Sequence, residues 1–276
     1  MRSWLRILLA LVAAGNLVLA AGYALQLPWA IGTWPWETGR LSYLFIASIL
    51  AAISAGAGWI AWSAETGSLP AGFLNLTITL GGISAYLFLT ATEPDRGTLL
   101  PYAIGAGVLA AANLVAFGWT LRVSAPVAAP TPRLVRGSYV AFTAILVAVG
   151  LALILRTPGV MPWPLDPDTS VVIGWIFLGD AFYFLYAVLR PRWDAARAQL
   201  WSFLAYDVVL VVPLMAHYPA APPELRTNVL VYSAVLVYSG ALAVYYLFID
   251  VHTRGWGSAA EGTPPRPTPP ANPTRR

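Results

Sequence analysis

Hydrophobic residues fall into eight long runs, separated by short segments rich in polar residues, glycine and proline. A helix needs about 20 mostly apolar residues to cross the hydrocarbon core of a bilayer. The pattern therefore predicts eight membrane-spanning helices. They cover residues 5–25, 41–62, 70–92, 99–121, 134–155, 169–189, 199–216 and 227–249.

Composition supports a membrane protein. Of the 276 residues, 58% are hydrophobic and only 10% are charged, whereas a soluble domain carries about 25% charged residues. Too few charges exist to cover a water-exposed surface, so we expect an all-α, polytopic integral membrane protein. The first run is longer than the core of about 7–15 residues of a signal peptide, and we expect it to be retained as the first span.

Arginine placement predicts the orientation. All 16 basic residues are arginines. With the N-terminus inside, twelve lie in cytoplasmic segments and four, Arg40, Arg96, Arg156 and Arg226, lie on the opposite face. Cytoplasmic loops carry the excess of basic residues in membrane proteins. The sequence thus predicts a bacterial cytoplasmic membrane protein with both termini inside.

The spans repeat at an offset of about 129 residues. Residues 33–37, around Trp34-Pro35-Trp36, follow the first span, and residues 162–166, around Trp163-Pro164, follow the fifth. We predict two parallel four-helix halves, since each contains an even number of spans. The halves are residues 1–122 and 134–252, with a Pro-rich cytoplasmic linker at 123–133 and a disordered cytoplasmic tail at 253–276. Chance recurrence of tryptophan and proline in interfacial loops is the alternative.

Acidic residues near the middle of spans are the most informative feature. Asp180 and Asp207 lie centrally in the sixth and seventh spans. A carboxylate at this depth costs about 2.5–3.5 kcal/mol on insertion scales, so both should face the bundle interior or water. Burial and mutual repulsion disfavour the charged form, so we expect at least one of the two to be protonated at neutral pH.

Two roles for these aspartates stay open. A protonated carboxyl group can donate a hydrogen bond that holds neighbouring helices together. Alternatively, the pair can relay protons or cations in a transporter. The candidate intramembrane polar site also includes Tyr206, Asn16, Asn75 and Asn113, although interhelical hydrogen bonding is the ordinary role of asparagine in a bundle.

The two Trp-Pro loops are predicted interfacial elements. These loops are too rigid and apolar to be flexible connections, because they contain Trp34, Pro35, Trp36, Trp163 and Pro164. We expect the loops to lie at the outer membrane interface and to cover an outward-facing cavity.

The sequence lacks the residue types that several kinds of catalytic and cofactor-binding site require. The chain has no cysteine and no lysine, which excludes disulfides, thiolate metal sites and a lysine-containing phosphate loop. His217 follows the seventh span on the outer side, and His252 follows the eighth span on the inner side. The two histidines therefore lie a membrane thickness apart and cannot share a haem or metal ion. We predict no catalytic residues, no metal and no other cofactor, and the arginine pattern gives no reason to expect nucleic acid.

The motifs also carry a resemblance. Trp34-Pro35-Trp36, Trp163-Pro164-Leu165 and the turn Arg190-Pro191-Arg192-Trp193-Asp194 resemble a group of bacterial eight-span membrane proteins with paired Trp-Pro loops. No activity is assigned to that group, so the resemblance implies the fold and nothing about function.

The functional prediction is a non-enzymatic multi-pass membrane protein, structural or accessory to a larger complex. Its expected partners are the lipid bilayer and other membrane subunits or a second copy of the chain. The alternative is a proton- or cation-coupled transporter of a small solute that uses Asp180 and Asp207.

Overall fold

The computed structural model of the protein describes residues 3–122 and 128–253. Within these ranges the chain is 80% helical and contains no strand, which confirms the predicted all-α class. Eight helices are long and apolar enough to cross a membrane, as the hydrophobic pattern predicts.

The described residues form eight long helices, a single-turn α-helix, α2, and three short 3-10 turns. In order the α-helices are α1 (Ser3–Ala24), α2 (Pro28–Ile31), α3 (Arg40–Ser63), α4 (Leu69–Ala91), α5 (Leu100–Thr120), α6 (Arg133–Ile154), α7 (Pro167–Leu189), α8 (Trp193–His217) and α9 (Arg226–Val244). A π-helical turn, Tyr245–Ile249, continues α9. We call the end of the bundle where α1 begins the proximal end, and the opposite end the distal end.

The predicted spans agree with these helices to within two residues at all ends but one, counting the π turn with α9. The exception is α8, which begins at Trp193, six residues before the predicted start at 199. Charged residues made this segment look like a loop. In the fold their charges are paired, because Asp194 contacts Arg192 at 2.8 Å and Arg197 contacts Glu65 at 2.7 Å.

The helices α1 and α6 end in the same way. Each is followed by a residue in the left-handed region, Gln26 with φ 53° and Arg156 with φ 58°. The next amide N–H then bonds a carbonyl oxygen five positions back, at 2.9 Å in both cases. This pattern is a Schellman cap, which satisfies carbonyl groups that a helix end leaves unpaired. It gives both Trp-Pro loops the same starting geometry.

The most extensive helix contacts form two rows. One row is α1, α3, α8 and α9, and the other is α5, α4, α7 and α6. The central helices α3, α4, α7 and α8 bring the two predicted halves into contact. The set of neighbouring pairs is unchanged when the halves are exchanged, as a parallel repeat requires. The duplication itself stays a prediction.

The core lies mainly between α3, α7, α8 and α9. Phe45 and Phe177 are buried there with ring centroids 5.3 Å apart, and Leu210 and Leu236 pack beside them. Van der Waals packing of this kind holds helices together in lipid, where apolar contact with a neighbouring helix brings no hydrophobic gain.

Part of the predicted linker and tail lies outside the described residues, namely 123–127 and 254–276. The described part of the linker is more than a tether. The carbonyl of Ala129 accepts a bond from the amide of Trp193 at 2.8 Å, and the amide of Thr131 donates to Pro191. The linker thus pairs with the turn between α7 and α8.

Candidate functional site

Asp180 joins the two predicted halves of the bundle. The amide nitrogen of Asn75, on α4, donates to the Asp180 carboxyl group, on α7, at 2.7 Å. Thr79, one turn further along α4, donates to the amide oxygen of Asn75 at 3.0 Å. That second bond orients the amide so that its N–H faces the acid. A carboxyl oxygen at this position therefore acts as an acceptor for a neutral donor from the other half.

Glycine makes this contact possible. A Cβ atom at Gly179 would overlap the Thr79 hydroxyl and approach the Asn75 carbonyl at 2.8 Å. A Cβ atom at Gly82 would overlap the ring of Trp175, again between α4 and α7. The two glycines let the helices approach closely enough for the Asn75–Asp180 hydrogen bond to form.

Asp207 is held within the second half. Its side chain is 4% exposed, and the Ser239 hydroxyl lies 3.1 and 3.0 Å from the two carboxyl oxygens. Gly240 follows in α9, where an added Cβ atom would lie 3.3 Å from a carboxyl oxygen. Serine and glycine thus let α9 approach the acid on α8 closely. Among the described residues, neither Asp180 nor Asp207 has a basic side chain within ion-pair distance.

Three partly buried tyrosines lie near the two acids. The hydroxyl groups of Tyr206 and Tyr232 are hydrogen-bonded to each other. Both hydroxyls lie within electrostatic reach of Asp180 and of Asp207. Tyr183, one turn after Asp180, lies within reach of that acid as well. We call Asp180, Tyr183, Tyr206, Asp207 and Tyr232 the acid–tyrosine cluster.

Two predicted members of the polar site lie elsewhere. The side-chain amide of Asn16 donates to the Val12 carbonyl at 2.9 Å, and that of Asn113 donates to the Leu109 carbonyl at 2.8 Å. Each bond returns to the residue's own helix, and α1 and α5 stand at the ends of the two rows. The structure does not bring these asparagines to the acids, because their helices do not reach the centre of the bundle.

The Trp-Pro loops exchange hydrogen bonds between halves. The indole N–H of Trp163 donates to Ser42 at 3.1 Å, and that of Trp36 donates to Thr169 at 2.8 Å. Each acceptor lies in the first turn of the other half's second long helix. Trp34 packs against the core, but its indole nitrogen has no partner among the described residues.

A cavity of about 630 Å³ opens at the distal end beside the second Trp-Pro loop. Its lining includes Leu153, Arg156, Met161, Trp163, Pro164 and Glu224. Trp163 is 4% exposed and contacts Tyr232 with ring centroids 6.3 Å apart. One aromatic layer therefore separates this distal cavity from the acid–tyrosine cluster.

A network of charges stands next to the cavity. Asp168, in the first turn of α7, accepts a bond from Arg96 at 2.8 Å and lies 3.7 Å from Arg156. The Tyr86 hydroxyl also donates to Asp168. Hydrogen bonding to the Asp168 carboxylate and its negative charge raise the pKa of Arg96. The network ties the start of α7 to the loops that precede α5 and follow α6.

Sequence reasoning missed a second, partly buried cluster at the proximal end. Arg197 pairs with Glu65 at 2.7 Å and lies over the ring of Trp193 at 5.4 Å. The indole N–H of Trp59 donates to Glu65 at 2.9 Å, and Trp59 stacks on Trp201. Glu65 and Arg197 are 132 positions apart in the chain, and no local pattern pairs them.

The fold defines an all-α, multi-pass membrane protein, and its acid–tyrosine cluster lies on the helices α7, α8 and α9. No protein family, curated sequence or solved structure matches the chain. Within the described ranges, no group of three or more acidic, histidine or cysteine residues is placed to hold a metal ion.

Proposed function

We propose that the protein is a proton- or cation-coupled transporter of a small solute, with the acid–tyrosine cluster as its coupling site. One observation carries the proposal. Asp180 and Asp207 lie on the consecutive central helices α7 and α8, and both act electrostatically on one pair of hydrogen-bonded tyrosines. Intramembrane acids facing a bundle interior mark ion and proton pathways in pumps and transporters.

Neutralisation gives such a cluster a means of coupling. A carboxylate without a basic partner is costly in a low-dielectric interior, so uptake of a proton or cation stabilises the closed bundle. Asp180 hydrogen-bonds across the two halves, whereas Asp207 hydrogen-bonds within the second half. Loading the site therefore biases how the halves pack, which is the kind of differential interaction that alternating access needs.

A structural or accessory role in a membrane complex is the second candidate. It is favoured by the neutral donors, because Asn75 and Ser239 each give one acid a hydrogen bond across a helix interface. In that role the protein is non-enzymatic and the acids only hold helices together. The lipid bilayer and other membrane subunits, or a second copy of the chain, would be its partners.

Charge displacement on a solid-supported membrane tests the proposal without knowledge of the solute. Proteoliposomes receive a jump in proton or sodium concentration, and the transient current reports cation uptake. We expect a current from the unmodified protein that falls by about tenfold or more in Asp180→Asn and Asp207→Asn. Asp250→Asn is the matched control, since Asp250 follows α9 and bonds only locally.

The outcomes separate the two candidates. No current from the folded, unmodified protein, or an equal current in all variants, would show that the acids do not couple. Native purification with mass spectrometry then tests the accessory role, because a structural component should carry stoichiometric partners.

The location is part of the same proposal. We propose a bacterial cytoplasmic membrane, with the proximal end inside and the distal cavity outside. The support is the arginine distribution, twelve against four, in favour of the proximal side.

A further inference from the structure

The distal cavity has walls that suit a hydrocarbon or aromatic group. Leu153, Val160, Met161, Trp163 and Leu165 contribute apolar side chains. A volume of about 630 Å³ is within the range of ordinary small-molecule sites. Such sites bind mainly by apolar contact, while a few polar groups fix the orientation of the ligand.

Arg156 is the basic group in this lining. Two guanidinium groups lie near the single carboxylate of Asp168, and Arg96 forms the closer ion pair with it, at 2.8 Å. Arg156 lies 3.7 Å from that carboxylate and donates instead to the neutral Tyr86 hydroxyl at 3.0 Å. Its charge is therefore less fully paired than that of Arg96, and its side chain is 52% exposed.

Backbone geometry fixes Arg156 at the cavity. The residue occupies the left-handed position of the α6 cap, where φ is 58°. Asparagine or glycine is the usual residue at such a position, because a larger side chain carries a steric cost there. A guanidinium group placed in this way offers a permanent charge and the fork geometry that matches a carboxylate.

Glu224 narrows the choice of ligand. This acidic residue lines the same cavity, together with Pro222 and Leu225 from the loop before α9. A second negative charge on a ligand would meet repulsion from this side of the cavity. The site is therefore suited to one carboxylate attached to an apolar body.

We propose that the distal cavity binds an apolar monocarboxylate, with its carboxylate on Arg156 and its body against Met161 and Trp163. This inference names the substrate class of the proposed transporter and rests on that function, although binding itself can be measured separately. The ligand would lie on the Trp163 ring, whose other neighbours include Tyr232 of the acid–tyrosine cluster. Bound solute and coupling site would then share one aromatic layer.

Calorimetry with the full-length protein in zwitterionic nanodiscs tests the inference. The probes are octanoate, octanol as the neutral analogue, and suberate as the dicarboxylate. We expect saturable octanoate binding that weakens by about tenfold or more in Arg156→Gln, because one charge-assisted pair is lost. Arg156→Lys, which keeps the charge, should restore part of the affinity.

Matched controls identify the cause of any loss. Arg40→Gln removes another arginine of the distal end that does not line the cavity, and it should change octanoate binding by less than about twofold. Leu165→Trp fills the cavity and should weaken binding while the charge remains. A thermal unfolding curve for each variant shows that the fold persists.

Two results would overturn the inference. One is octanoate binding that Arg156→Gln leaves unchanged, and the other is octanol binding as tightly as octanoate, which would indicate partition into apolar surface only. Palmitate in place of octanoate distinguishes a lipid-derived acid from a water-soluble one. Tighter binding of palmitate would indicate a lipid-derived ligand, and tighter binding of octanoate a water-soluble ligand. Calorimetry on the unmodified protein measures binding, whereas the solid-supported membrane measures cation uptake, so failure of binding and failure of coupling are separate results.

Discussion

Trp163 donates its indole N–H to Ser42, a residue 121 positions earlier in the chain. Trp36 makes the corresponding bond to Thr169, so the loop of each half is fastened to the other half. The two tryptophans are 127 positions apart, 36 to 163, and so are the two hydroxyl residues, 42 to 169. This reciprocal pair closes the distal end of the bundle above the acid–tyrosine cluster.

Replacing either donor with phenylalanine should weaken this closure. Trp163→Phe and Trp36→Phe each remove one hydrogen bond and part of a packed ring, and each should destabilise the folded protein by about 1–2 kcal/mol. Thermal or denaturant-induced unfolding in detergent measures the change. Trp34→Phe is the control, because the Trp34 indole nitrogen is buried without a partner among the described residues. A loss in Trp34→Phe as large as in the other two would attribute the effect to ring size alone.

Close approach of α4 and α7 predicts a sharp contrast between two glycines. Gly179→Ala should destabilise by about 1–3 kcal/mol and separate Asn75 from Asp180, because the new methyl group overlaps Thr79. Gly105→Ala, on α5, should be tolerated, since no atom outside its own helical surroundings lies within 4 Å of its added Cβ. Unfolding curves for the two variants give the comparison. Equal stability would mean that the helices do not pack at Gly179 as described.

Asp207 and Ser239 test the cost of an unpartnered buried acid. Ser239→Ala removes the donor at 3.0–3.1 Å and should destabilise by about 1–3 kcal/mol. Asp207→Asn keeps an acceptor oxygen for Ser239 and should cost less. If Ser239→Ala is neutral in an unfolding measurement, the carboxyl group has found another partner.

The proximal cluster predicts energetic coupling between Glu65 and Arg197. Their side chains are 25% and 17% exposed, so the pair is only partly screened by water. A double-mutant cycle of Glu65→Gln and Arg197→Gln should give a coupling energy of about 1–2 kcal/mol. Glu93 and Arg96 lie 3.5 Å apart, and both side chains are exposed to solvent. The same cycle on this pair should give a coupling energy of less than about 0.5 kcal/mol. Similar values for both pairs would contradict a special role for the partly buried pair.

Orientation can be measured cleanly because the chain has no cysteine. Glu37→Cys at the distal end and Arg190→Cys at the proximal end introduce single thiols at exposed positions. In intact cells a membrane-impermeant maleimide should label Glu37→Cys but not Arg190→Cys, and permeabilisation should expose both. The reverse pattern would invert the proposed topology.

Hydropathy was enough to place almost all of the helices. Each span is a continuous apolar run, because a helix that crosses the hydrocarbon core must be apolar along most of its length. The start of α8 escaped the pattern because Asp194 and Arg197 interrupt the apolar run. Asp194 pairs with its chain neighbour Arg192, but Arg197 is compensated by Glu65, which only the fold brings near, so local composition could not show that the helix begins before them.

The candidate site was predictable by residue type but not by partner. Mid-span depth singled out Asp180 and Asp207, and Asn75 was named with them, yet no sequence signal told Asn75 from Asn16 or Asn113. All three are intramembrane asparagines, and only the position of α4 beside α7 gives one of them an acid to bond. The loop correspondence also differs, because the sequence offset pairs Trp34 with Trp163 whereas the hydrogen bonds pair Trp36 with Trp163.

The sequence by itself determined that this is an eight-helix membrane protein and that carboxyl groups lie at mid-span, because transfer into lipid is a property of each segment alone. Tertiary structure decided which helices are neighbours, which donors reach the acids, and that Trp163 separates a distal cavity from the tyrosines. Those relationships depend on close packing between segments more than a hundred residues apart in sequence. Small residues such as Gly179 permit that packing, but hydropathy along the chain does not register it.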